Sequence, residues 1–311
     1  MAIDRNVRSI DLYFVDNRML PGRILICQTL VDLILENCGS VPNLGSVVYL
    51  PCLKKLHLMR VGFEADESLW NLISGCPVLE DLLIKLYVDF RSCKVSSPTV
   101  KKARGRSSDN VTILTKQEII DSLSSVSMTK RFRNLVKLEL IGHCWFLSKF
   151  HENADNLEIL ILKEIVDSVL SAWTTKSFNN LTNLELTDHF LLLSKFLENS
   201  DNLEFLFLRG ADGKKVDWTT EPEEVPRCLI SHLRTITLGE NIYSKEDLEI
   251  VRYLLRNGKV LERMEIACPL FSHCEFTDSM FDGISQFERG SEKCEVVLVF
   301  LVICIARPIG Y

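Results

Sequence analysis

Residues Leu135–Leu162 read LVKLELIGHCWFLSKFHENADNLEILIL, and residues Leu181–Leu208 read LTNLELTDHFLLLSKFLENSDNLEFLFL. The two copies start 46 residues apart and agree at 17 of 28 aligned positions, including a His-x-x-x-Leu-Ser-Lys-Phe core. A catalytic centre is needed once. A segment that cannot bury its apolar side alone is needed repeatedly, stacked on copies of itself.

Inside each copy the shorter unit L-x-x-L-x-L occurs twice, at Leu135/Leu138/Leu140 and Leu157/Leu160/Leu162, then at Leu181/Leu184/Leu186 and Leu203/Leu206/Leu208. Working outward, the same unit stands at Leu30/Leu33/Leu35, Leu53/Leu56/Leu58 and Leu79/Leu82/Ile84. Substituted versions occur at Val7/Ile10/Leu12, Leu233/Ile236/Leu238 and Leu261/Met264/Ile266. Successive starts lie 22 to 30 residues apart, except between Leu79 and Leu135, where Val100 offers a degraded copy. One such unit arises in any leucine-rich helix; ten at a near-regular period are the leucine-rich-repeat signature. The L-x-L half alternates as a strand does, with two side chains inward and one outward. The copy LVDLILENC also places Cys38 where the motif calls for Asn or Cys to cap the turn after the strand.

Helix signals lie between the strands. DESLWNLISGCP offers Asp66 as a cap, Leu69, Leu72 and Ile73 as an apolar face, and a stop at Gly75-Cys76-Pro77. SKEDLEIVRYLLRNG offers Ser244 and Asp247 as a weak capping box, with Leu248, Val251, Leu254 and Leu255 on one face and closure at Asn257-Gly258. WFLSKFHEN and LLLSKFLEN predict one or two helical turns. Three buried side chains per copy cannot offset the entropy of ordering a whole repeat, so the copies must stack. The expected fold class is α/β, a leucine-rich-repeat solenoid (horseshoe) of about ten irregular repeats.

Several stretches resemble the plant F-box proteins that carry leucine-rich repeats and a C-terminal FBD domain. They are RNVRSIDLYF, LPGRILICQTLVDLILENC, LPCLKKLHLMRVGFEADESLWNLISGCPVLEDLLI and PRCLISHLRTITLGENIYSKEDLEIVRYLLRNGKVLERMEI. The last resembles the FBD module, and FERGSEKCEVVLV is similar to that module's usual end. The resemblance implies a repeat array over residues 1–225, an FBD-like segment over 226–299 and a divergent apolar tail over 300–311. It also implies the substrate-recognition part of an F-box ubiquitin-ligase receptor, whose F-box docks a Skp-type adaptor while the repeats hold an unidentified protein target. In the family an F-box precedes the region matched by RNVRSIDLYF, where this chain begins. Adaptor docking is therefore not expected of it, and the rival expectation is a truncated or decayed member without a functional partner.

The bulk numbers agree with a folded protein-binding module. Hydrophobic residues make up 47% and charged residues 25%, ordinary for a globular chain. A net charge of -6 supplies no basic field for nucleic acid. The apolar run Val296–Ala306 is too short to span a bilayer and reads as a buried strand or an unusual tail. Eleven cysteines without a C-x-x-C, and no signal peptide in MAIDRNVRSIDLYF, point to a reducing cytoplasmic or nuclear compartment.

No enzyme motif is present: G-x-S-x-G, H-E-x-x-H and the Gly-rich phosphate loop are all missing. His143-Cys144, and Cys268 with His273-Cys274, read as packing or turn residues rather than zinc ligands, because the second copy replaces Cys144 by Phe190. No cofactor or metal is expected. KKARGR (Lys101–Arg106) reads as a solvated loop and TEPEEVP (Thr220–Pro226) as a linker.

That leaves the outward strand residues as candidates for binding. They are Asp32 and Ile34, Lys55 and His57, Asp81 and Leu83, Lys137 and Glu139, Ile159 and Ile161, Asn183 and Glu185, and Phe205 and Phe207. The candidate partner-binding set is Lys55, His57, Lys137, Glu139, Ile159, Ile161, Asn183, Glu185, Phe205 and Phe207. Ile159, Ile161, Phe205 and Phe207 either meet a partner or are covered by neighbouring turns.

Overall fold

The structure, a computed structural model, describes residues 6–14, 19–42, 48–63, 66–85, 134–142, 156–163, 177–187, 193–210, 221–222, 224–239, 245–269 and 282–301. The chain divides into two compact units, Met1–Ala154 and Asp155–Tyr311. Each is an α/β stack of leucine-rich repeats.

In the first unit five strands run parallel and pair in chain order: β1 (Ser9–Tyr13), β2 (Asp32–Glu36), β3 (Lys55–Met59), β4 (Asp81–Lys85) and β5 (Lys137–Ile141). In the second, six strands do the same: β6 (Ile159–Lys163), β7 (Asn183–Thr187), β8 (Phe205–Arg209), β9 (Thr235–Leu238), β10 (Arg263–Pro269) and β11 (Glu295–Leu301). All ten motif copies therefore form strands, and the first long duplicate supplies β5 and β6 while the second supplies β7 and β8.

The alternation is as the period requires. Leu33, Leu35, Leu56, Leu58, Leu82, Ile84, Leu138 and Leu140 have no solvent exposure, and the residues between them are half-buried. Leu160, Leu162, Leu206 and Ile236 do the same in the second unit. The first motif leucine lies just before each strand and seals the turn; Leu30, Leu53, Leu135, Leu181, Leu203 and Leu233 are all fully buried.

Register is set by a repeated backbone staple. One carbonyl beside each strand accepts two successive N–H groups from the next repeat. Arg8 O takes Val31 and Asp32, Lys54 O takes Glu80 and Asp81, and Glu80 O takes Val136 and Lys137. In the second unit Glu158 O takes Thr182 and Asn183, Thr182 O takes Glu204 and Phe205, and Arg234 O takes Glu262 and Arg263. Asparagine reinforces the staple: Asn134 Nδ2 donates to Pro77 O at 3.0 Å and Asn202 Nδ2 to Asn179 O at 2.6 Å. In both cases the asparagine directly precedes a motif leucine, and the acceptor lies two residues before the previous one.

Strand ends turn through left-handed backbone at Asn37 (φ 56°), Arg60 (φ 53°) and Gly142 (φ 92°). The turn packs tightly, because a Cβ on Gly62 would lie 2.2 Å from Gly39 O. Cys38 is fully buried there, and its thiol is pushed up by burial, with the Ser40 and Leu20 amides opposing.

Helices cover the sides away from the strands. They are α1 (Asp66–Ser74), α2 (Leu193–Glu198), α3 (Arg227–Ser231) and α4 (Lys245–Asn257), with a 3-10 turn at Gly22–Ile26. The expected α1 face is buried at Leu69, Leu72 and Ile73. The expected α4 face is buried at Val251, Leu254 and Leu255, with Ile250 and Tyr253 added and Leu248 only half-buried. Asn257-Gly258 closes α4, with Gly258 N–H donating to Leu254 O. The cap side chains Asp66, Ser244 and Asp247 lie outside the described residues. The segment WFLSKFHEN lies outside them too.

β4 pairs directly with β5, and the degraded copy suggested at Val100 lies outside the described residues. An eleventh strand continues the series at β11, where the apolar run was open between strand and tail. Its motif is one residue short: Cys294 N–H donates to Ser291 O as Leu203 N–H does to Ser200 O, yet Val296 follows after one residue instead of two.

Candidate protein-binding surface

The outward faces of the two units differ in chemistry. In the first unit, strand register lines up Asp32, Lys55, Asp81 and Lys137 as one row of alternating charge, and Ile34, His57, Leu83 and Glu139 as the next. Opposite charges directly across a sheet attract, and the close contacts run between the two rows. His57 Nε2 lies 3.2 Å from Asp81 Oδ1, and Lys137 Nζ lies 3.7 Å from Glu139 Oε2. Both His57 Nε2 and Asp81 Oδ1 are shielded from solvent, and each faces the other. Burial alone would raise the Asp81 carboxyl; the His57 ring, then Lys137 and Lys55, outweigh it and hold the group below its ordinary value.

In the second unit the corresponding rows are Ile159, Asn183, Phe205, Thr235 and Arg263, and Ile161, Glu185, Phe207, Thr237 and Glu265. Ile159, Ile161, Phe205 and Phe207 are half-buried, neither sealed as core nor fully open. Lys163 Nζ pairs with Glu185 Oε1 at 2.9 Å. Phe207 leans over Gly239, where a Cβ would come within 3.1 Å of the ring.

Beside it lies an open depression of about 230 Å³ lined by Phe207, Arg209, Thr237, Gly239, Glu265, Ala267 and Val299. Its carboxylate is oriented from two sides: Thr237 Oγ1 donates to Glu265 Oε2 at 3.3 Å, and Arg263 Nε to Glu265 Oε1 at 2.7 Å. The residues from β9 to β11 were missed by sequence reasoning. The signal was present, since Thr237 and Glu265 are the middle residues of Ile236-Thr237-Leu238 and Met264-Glu265-Ile266.

The ten candidate residues thus fall into two groups. Lys55, His57, Lys137 and Glu139 gather with Asp81 in the first unit. Ile159, Ile161, Asn183, Glu185, Phe205 and Phe207 share one sheet face in the second.

Among the described residues no group of three His, Cys, Asp or Glu is placed to hold a metal ion. Burial pushes the Cys76 and Cys228 thiols up to about 12, far from a nucleophile's thiolate. No described helix is long and apolar enough to cross a membrane. His143-Cys144, His273-Cys274 and Lys101–Arg106 lie outside the described residues, as do the side chain of Cys268 and the linker residues Thr220 and Glu223.

Parallel strands in chain order, sealed by L-x-x-L-x-L cores, define a leucine-rich-repeat protein. Residues 2–128 match the family model described as FBD-associated F-box protein At5g56370, LRR repeats, and residues 221–266 match the FBD model. The chain carries the leucine-rich repeats and the FBD segment of the plant F-box/FBD/LRR-repeat family.

Among its curated relatives in Arabidopsis thaliana, the F-box/FBD/LRR-repeat protein At2g26030 is 27% identical over 354 aligned positions, covering 96% of this chain and 78% of the relative. The FBD-associated F-box protein At3g52670 is 27% identical over 318 positions, covering 96% and 75%. The putative F-box/FBD/LRR-repeat protein At5g44950 is 34% identical over 158 positions, covering 45% of this chain and 35% of that protein.

Proposed function

We propose that this chain is a protein-interaction module that binds rather than catalyses, acting as the substrate-recognition part of an F-box ubiquitin-ligase receptor acts. The target is an unidentified protein of the cytoplasm or nucleus, and adaptor docking is no part of the proposal. The observation that carries it is the half-buried row Ile159, Ile161, Phe205 and Phe207, set beside the depression at Phe207 and Glu265. Partly exposed aromatic side chains on a rigid sheet supply contact area at low entropic cost. His57 already pairs with Asp81 and Lys137 with Glu139, so the charged residues of the first unit contribute orientation and selectivity more than affinity.

The test is a photo-crosslinking residue placed at Asn183, on the outward face, and at Ile230, exposed on α3. A target captured from Asn183 and not from Ile230, and lost with Phe205→Ser/Phe207→Ser in a chain of unchanged melting temperature, supports the reading. Unfolding of the double variant would make both phenylalanines core residues. Capture of nothing from either position would favour the rival reading, a decayed family member without a functional partner.

A further inference from the structure

The far side of β11 is where the second unit leaves its own rules. β11 bonds to β10 through Arg263↔Glu295 to Pro269↔Leu301, and among the described residues no strand pairs with its other edge. In β10 the core-facing Met264 and Ile266 are 0% and 3% exposed. Val296 and Leu298 continue those two rows in β11 and are half-exposed. The outward Val297 and Val299 are half-exposed as well. The strand reads EVVLVFL, without the Lys or Pro that ordinarily blunts a sheet edge. An apolar strand with no described partner along one edge is a template for another strand.

We propose that this edge pairs with β11 of a second copy of the chain, antiparallel about a two-fold axis perpendicular to the sheet. Charge selects the direction. Glu295 is the only charged residue of β11. Parallel pairing would set two Glu295 carboxylates side by side, whereas antiparallel pairing separates them by about 20 Å. Side-chain alternation selects the same answer. With the pairing centred on Leu298, Val297 faces Val299 of the second copy, and the two Leu298 meet on the core side. Core continues into core and outward face into outward face. A parallel pair about an axis along the strand would instead set one copy's core side against the other's outward side.

The two-fold arrangement consumes both edges and therefore closes at a dimer rather than growing into a filament. The paired strip is about 23 Å long and about 10 Å deep, on the order of 230 Å² and well below the roughly 800 Å² per partner of a standard interface, so the dimer is weak and concentration-dependent.

Sedimentation velocity of the full chain over a roughly hundredfold concentration range tests this, with two charge variants beside it. Val297→Lys/Val299→Lys and Val297→Glu/Val299→Glu alter only outward positions, and each puts like charges opposite one another in a homodimer. The wild type is expected to shift from monomer to dimer, and each variant to stay monomeric over the same range. An equimolar mixture of the two variants should recover the dimer. A wild type that stays monomeric overturns the proposal. So does a wild type that grows beyond a dimer, a variant that still dimerises, or a mixture that does not. If the variants do not fold, hydrogen exchange of the wild-type peptide 295–301 decides. Its protection must rise with protein concentration, and constancy overturns the proposal. Phe205→Ser/Phe207→Ser should leave the association unchanged, which separates this surface from the target-binding face.

Discussion

Asp81 shows how one side chain records the register of three strands. His57 reaches it diagonally from β3, Lys55 directly from β3 and Lys137 directly from β5. Because the folded chain holds the Asp81 carboxyl below its ordinary value, it binds the proton less readily than the unfolded chain does. Its contribution is complete above the unfolded value of about 3.9 and is lost as pH falls through the lower folded value. Asp81→Asn is therefore expected to destabilise by about 1 kcal/mol at pH 7, with the difference shrinking at an acid pH below the ordinary carboxylate range. Urea unfolding at the two pH values measures this; an equal penalty at both would refute the electrostatic account. The residue type and its outward direction were legible in LEDLLI. Its partners were not, because they come from repeats on either side and require the register that the backbone staples impose.

At the scale of the element, a strand is defined by which of its residues tolerate charge. Leu138→Asp and Leu184→Asp each bury a carboxylate among sealed leucines and should cost several kcal/mol. Glu139→Lys and Glu185→Lys sit between them and lose ion pairs worth at most about 1 kcal/mol. Thermal melts of the four variants check the contrast, and equal sensitivity would sink the alternation.

Helix packing makes a parallel claim about cysteine. Cys76 Sγ donates to Leu72 O at 3.1 Å and Cys228 Sγ to Leu197 O at 3.4 Å, each thiol held up at about 12 by burial. At pH 8 an alkylating reagent should label the exposed Cys52 and leave Cys76 and Cys228 unmodified until the chain unfolds. Peptide mass spectrometry reads the difference, and labelling of either buried thiol in the folded chain would contradict it. Strands were legible wherever three apolar residues kept the motif's spacing. At β11 the sequence left strand and tail both open, because Cys294-x-Val296-x-Leu298 lacks one residue of that spacing, though its buried Cys294 fills the leucine's place. The depression at Glu265 escaped for a related reason: it assembles from β8 to β11, across the boundary at which the resemblance divides repeats from FBD-like segment.

At the scale of the molecule, a repeat array is held by contacts between neighbours, so stability is distributed by position rather than by distance from one central core. An interior strand has a sealed repeat on each side. β1 and β11 each have one described neighbour, and the consequence is visible in their core rows: Ile10, Leu12, Val296 and Leu298 are half-exposed, where Leu56, Leu58, Leu206 and Leu208 are buried. A partly wet core position contributes less of its transfer free energy, and an outer strand opens without breaking two sets of staples. Amide hydrogen exchange at low protein concentration, where the chain is monomeric, should therefore show graded protection within each unit. Peptides covering β1 and β11 should exchange first, and those covering β3 and β8 last. Leu56→Ala should speed exchange in β2 and β4 more than in β1, because the cavity is shared by the two repeats that touch it. Uniform protection from β1 to β5, or equal acceleration in every strand of the unit, would instead mean one cooperative core. The nearest-neighbour account would then be wrong for this chain.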